Sequence, residues 1–107
     1  MTKEQWQNLY DILSRIHSDF LIAYSTYKVG RNKKVRADAE RQIDNAISLA
    51  DYHIRKHSEA FELLTGGDNS TDFDRAIIYD EFLLARYFGQ DMGDFLKKIK
   101  VKIESMS

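Results

Sequence analysis

His53 and His57 stand four residues apart, the spacing that puts two imidazoles on one side of a helix, where a divalent metal can bridge them. The residues between them are Ile54, Arg55 and Lys56. Two cations there oppose a bound cation, and the carboxylate that a His-Glu-x-x-His zinc site requires is missing. No Glu-x-x-His pair occurs anywhere in the chain, which removes the di-iron carboxylate arrangement of helical bundles. There is no cysteine, so thiolate ligands, thiol nucleophiles and disulfides are excluded together. No serine sits on a Gly-x-Ser-x-Gly turn, and Gly66-Gly67 is followed by acids rather than by the Lys-Ser/Thr of a phosphate-binding loop. These residues therefore predict no catalytic group, no metal and no cofactor, and the chain reads as a non-enzyme.

One histidine keeps a chemical reading. His53-Ile54-Arg55-Lys56 places a lysine three residues after a histidine in mid-helix, and it resembles the phosphotransfer histidine of four-helix phosphorelay domains. The resemblance implies a phosphoryl group on His53 with Lys56 beside the added charge. It covers four residues. Ser58 fits the pattern as well, but His57 stands where the family has a small residue that admits its partner.

The remaining candidates concern recognition rather than reaction. Lys28, Arg31, Lys33, Lys34 and Arg36 put five cations and no acid into nine residues, with Gly30 and Asn32 as the turn among them. Such a corner is ordinarily solvated; as a site it would meet phosphates or an acidic protein surface. No aromatic residue interleaves the cations within the loop, so stacking on bases has no platform there. A second surface consists of apolar residues off the main seams: Leu21, Ile22, Leu49, Tyr52 and Leu63. Finally, Asp80 falls in the widest apolar arc of its segment, where a lone carboxylate is costly. It calls for a partner, and His57 on the inner face of the preceding helix is the natural one, giving a buried polar pair.

The elements that must position these groups follow from period. Thr2-Lys3-Glu4-Gln5 is a capping box, after which Trp6, Leu9, Leu13, Ile16, Phe20, Ala23 and Tyr27 alternate steps of three and four. That is a bundle seam, with Tyr10, His17 and Tyr24 along its flank, polar tips in water. From Val35 to Leu64 no Gly or Pro intervenes, and Ile43, Ile47, Ala50, Ile54, His57, Phe61 and Leu64 share a face. At ~1.5 Å per residue this predicts one helix of about 45 Å, which needs partners along its length. A third apolar segment runs from Phe73 to Phe88, and a last stripe holds Met92, Phe95, Leu96, Ile99, Ile103 and Met106, with Asp91 as its cap.

The predicted fold is all-α: an antiparallel bundle of three long rods, the third broken near Gly89–Gly93 to make four helices, in a single domain over 1–107. In a chain of 107 residues, 43% apolar residues suffice for one core. The net charge of −1 points to no polyanionic or polycationic partner. No apolar run reaches the ~20 residues of a membrane span, and the absence of cysteine suits a reducing cytoplasm. The sequence thus predicts a small regulatory or inhibitor-like module that binds another protein, or a second copy of itself, through a helix face and the basic turn. Nucleic-acid association through the basic turn is the alternative, and a phosphocarrier comes third.

Overall fold

The computed structural model describes residues 1–65 and 82–106. Among them are four helices and no strand: α1 (Lys3–Val29), α2 (Lys33–Arg55), α3 (Ser58–Thr65) and α4 (Phe82–Ser105). None is long and apolar enough to cross a membrane. The protein is an all-α bundle.

α1 starts where the capping box predicts. The Thr2 hydroxyl accepts from the Gln5 backbone N–H, and the Gln5 side chain accepts from the Thr2 N–H, so two orphan donors are satisfied reciprocally. Its seam is buried from Trp6 to Ala23, and Tyr27 packs half-buried at the end. The helix stops at Gly30, whose N–H bonds the Thr26 carbonyl; a Cβ there would come within 2.9 Å of that same oxygen. Gly30 is held by close approach, with φ at −65°, and not by a left-handed turn. Asn32 then caps α2, its side chain accepting from Lys34 N–H at 2.7 Å. A loop this short returns α2 antiparallel to α1.

The rod predicted from Val35 to Leu64 is bent. Its face is buried as expected at Ile43, Ile47, Ala50, Ile54 and Leu64, joined by Ala39, Ala46 and Ala60, while His57 and Phe61 on the same predicted face are half-buried. At Lys56 and His57, however, the ladder tightens: His57 N–H bonds the Ile54 carbonyl three residues back, and the His57 carbonyl accepts from Ala60 and Phe61 to begin α3. The bend brings the Arg55 guanidinium over the Phe61 ring, 4.8 Å from its centroid. On a straight helix these two residues, six apart, point away from each other.

The opposite correction applies to Gly89–Gly93. No break occurs there; α4 passes through both glycines as one helix, and Asp91 lies in mid-helix instead of capping a new one. The physical reason is packing. A Cβ at Gly89 would lie 3.0 Å from the Phe20 ring, and one at Gly93 would touch the His17 ring at 3.8 Å. The two glycines, one helical turn apart, form the flat strip on which α1 rests. Phe20 meets Phe88 at 4.8 Å between centroids and stacks on Tyr24 at 5.8 Å. His17 was expected with its polar tip in water; instead its Nε2 hydrogen-bonds the Gly89 carbonyl at 3.0 Å, so the nitrogen donates. With residue 20 opposite 88 and residue 17 opposite 89 and 93, α4 runs antiparallel to α1 and seals one side of it.

Candidate functional site

Among the described residues, the other side of α1 is open. Between α1 and α2 lies a groove of about 230 Å³ lined by Ile16, Asp19, Ile22, Gln42, Asn45, Ala46 and Leu49. Ile16 and Ala46 are buried and form its floor, continuous with the core. Ile22 is 66% exposed and Leu49 42%, and they stand on the walls contributed by α1 and α2. Ile12, also exposed, is one turn before Ile16 on the same face of α1. Tyr52, one turn beyond Leu49, is exposed, edge-on to the His53 ring and with the Lys56 ammonium 5.9 Å from its ring centroid. Among the described residues Asp19 is the single charge in the lining, which also holds the amides of Gln42 and Asn45.

Of the five apolar surface residues predicted, the structure brings Ile22 and Leu49 into this groove and leaves Tyr52 near its end. Leu21 is exposed but turned to the α4 side, 3.7 Å from where a Gly89 Cβ would stand. Leu63 is half-buried against the core and belongs to a separate cavity at the end of the bundle. The sequence reading missed Asp19, Gln42 and Asn45. Their signal was position alone: Asp19 and Asn45 sit one turn before Ile22 and Leu49, and Gln42 sits two turns before Leu49.

The basic turn is exposed at all five predicted positions, Lys28, Arg31, Lys33, Lys34 and Arg36. Two aromatic faces come to it from α1. The Lys28 ammonium lies 5.5 Å from the Tyr24 ring centroid and the Arg36 guanidinium 5.2 Å from that of Tyr27. Arg31, Lys33 and Lys34 form no ion pair among the described residues. The first turn of α2 holds no acid, and its cations sit against the positive end of the helix dipole.

The histidines are arranged differently from the expectation. α2 ends at Arg55, so His57 lies outside it and the pair does not ride on successive turns of one helix. His53 is in the last turn of α2 rather than in mid-helix, and Lys56 is the C-cap, which weakens the likeness to a phosphotransfer helix. Burial lowers the His53 pKa below 6.5, and the nearby Lys56 and His57 charges lower it further. Among the described residues no group of three or more His, Asp or Glu side chains is placed to hold a metal ion. His57 is half-buried and supplies the carbonyl that starts α3. Its predicted partner Asp80 lies outside the described residues.

The cavity at the bundle end has a volume of about 420 Å³ and is lined by Trp6, Glu59, Glu62, Leu63 and Lys102, from α1, α3 and α4. The Met1 ammonium donates to Glu59 there. That hydrogen bond chiefly holds the Glu59 carboxyl below its ordinary pKa, with Lys102 and His57 contributing charge and desolvation working against them.

Fold and sites together define an all-α bundle in which, among the described residues, one helix seam is sealed and one is open. The chain matches no protein-family model, and neither a curated protein nor a solved structure is significantly similar to it.

Proposed function

We infer that the protein is a non-catalytic binding module that accepts an amphipathic helix of another protein in the groove between α1 and α2. The observation that carries this reading is the groove itself, with a buried apolar floor, two exposed aliphatic walls and one carboxylate. A helix laid into such a trough places apolar residues at i, i+3 or i+4, and i+7 along Ile22, Leu49 and Ile12, with a basic residue opposite Asp19. Truncating or charging residues at the centre of an interface costs more than changes at its rim, so Ile22 and Leu49 are the positions to test.

The test is a capture from cells with wild-type protein and with Ile22→Lys/Leu49→Lys, followed by binding measurements with the purified partner. The reading expects affinity to fall by at least about a hundredfold, the equivalent of roughly 2.7 kcal/mol. Equal affinity of the variant would remove the groove as the binding face. If the partner is a second copy of the chain, sedimentation detects it directly as a dimer that the double variant abolishes.

A second reading is favoured by the basic turn, where Arg31, Lys33 and Lys34 make no ion pair among the described residues and Tyr24 and Tyr27 stand behind the neighbouring cations. Nucleic-acid association there predicts binding that falls steeply with salt, with a log–log slope of about −0.7 per phosphate contacted on a single strand. A Lys33→Glu/Lys34→Glu variant that binds as wild type, or affinity indifferent to salt, ends that reading.

A further inference from the structure

α1 carries a second stripe besides its buried seam. Asn8, Ile12, Arg15, Asp19, Ile22 and Thr26 follow one another at alternating steps of four and three, so they share one face of the helix. At ~1.5 Å per residue that face runs about 27 Å along the α1 side of the groove. Ile12, Arg15, Asp19 and Ile22 are all exposed among the described residues, although two of them are aliphatic. Arg15 and Asp19 make no ion pair among the described residues, either with each other or with a third side chain. A base that precedes an acid by four residues is the poorer order for a pair within one helix, which leaves both charges to a partner.

The order of residue types along this stripe is self-complementary. Laid antiparallel against a copy of itself about the midpoint between Arg15 and Asp19, Ile12 meets Ile22, Arg15 meets Asp19 and Asn8 meets Thr26, each contact occurring twice as a two-fold axis requires. Apolar meets apolar, cation meets anion and polar meets polar in that one register. Sliding the copy by a turn in either direction opposes like charges instead, Arg15 to Arg15 or Asp19 to Asp19. The groove receives such a helix as well as its own wall does. Ile16, Ala46 and Leu49 offer apolar surface to an incoming Ile22, and the side-chain carbonyls of Gln42 and Asn45 share the lining with Asp19, ready for the remaining donors of a guanidinium. The aliphatic contacts supply affinity and the Arg15–Asp19 pairs fix the register. We propose that this face of α1 is a homodimer interface, the groove of each chain covered by α1 of a second copy, antiparallel and centred between Arg15 and Asp19; this rests on the groove being a helix acceptor, and it makes dissociation of the dimer a step before any other helix docks.

Sedimentation of the full chain at concentrations up to about 1 mM is expected to show a reversible monomer–dimer equilibrium. Arg15→Asp sets carboxylate against carboxylate at both symmetry-related contacts, and Asp19→Arg sets guanidinium against guanidinium. Each variant alone is expected to raise the dimer dissociation constant by at least about tenfold. An equimolar mixture of the two restores opposite charges at both contacts, and is expected to form a heterodimer with the wild-type constant to within about threefold. A defect in folding cannot give that recovery, because each chain in the mixture still carries its own substitution. The proposal is overturned if wild type stays monomeric throughout, if either variant associates as wild type does, or if the mixture fails to recover. A monomeric wild type strikes the dimer alone and leaves the groove to a different helix, whose separate test is loss of capture in Ile22→Lys/Leu49→Lys.

Discussion

At the scale of single residues, two side chains carry separable consequences for stability. Thr2 holds the first turn of α1 through a reciprocal pair of hydrogen bonds with Gln5. Replacing it by Ala removes the acceptor for one backbone N–H, and Thr2→Ala is expected to cost about 1 kcal/mol in urea unfolding. His53 acts through charge. Its folded pKa is lowered from 6.5 by burial, then by Lys56 and His57, so the folded protein disfavours the imidazolium that the unfolded chain accepts freely. Below 6.5 the unfolded state therefore binds the proton more readily, and stability rises with pH through the window that starts at the folded pKa and closes above 6.5. Urea midpoints measured across that window should climb more steeply with pH for wild type than for His53→Gln. Parallel curves for the two proteins would show that His53 contributes nothing to the dependence.

At the scale of elements, the two glycines of α4 separate propensity from packing. Each weakens a helix interior by roughly 1 kcal/mol relative to Ala, so each persists for a reason other than propensity. At Gly93 the added methyl meets the His17 ring at ordinary contact distance, 3.8 Å, and Gly93→Ala is expected to stabilise by up to about 1 kcal/mol. At Gly89 the methyl arrives 3.0 Å from the Phe20 ring, which is wedged between Tyr24 and Phe88 and has little room to retreat. Gly89→Ala should destabilise by about 1–3 kcal/mol despite its better propensity. Opposite signs for the two substitutions in thermal or urea unfolding check the account; equal signs would mean that α1 and α4 do not meet as closely as described. The same residues show why the helix break was misread. Gly-x-x-x-Gly carries two meanings, an interruption of the helix or a flat face for a neighbour, and only the partner Phe20 decides between them. Conversely the bend at Lys56–His57 had no Gly or Pro to announce it, being set by Ala60 and Leu64 reaching the core and by Arg55 closing on Phe61.

At the scale of the whole molecule, apolar periodicity was sufficient for the bundle and insufficient for the site. Positions three and four apart name the residues that face inward, and from Trp6 to Ala23 and from Ile43 to Ile54 those residues are buried. The exposed remainder has no such rule, because whether Leu21 and Ile22 share a surface depends on where the neighbouring helices lie. They diverge, Leu21 toward Gly89 and Ile22 toward Leu49, and Asp19, Gln42 and Asn45 gain meaning only once α2 is laid beside α1. That geometry also divides the molecule's labour. Stability resides in the α1–α4 seam and the inner faces of α1 and α2, whereas Ile22 and Leu49 protrude from walls that the core does not need. Ile22→Lys/Leu49→Lys is therefore expected to shift the unfolding free energy by no more than about 0.5 kcal/mol per site, the range of ordinary surface changes. Partner binding measured on the same preparation should be lost. A large drop in the urea midpoint would assign these side chains to the fold instead and withdraw them from the docking face; an intact midpoint with intact binding would move the docking face to another part of the surface.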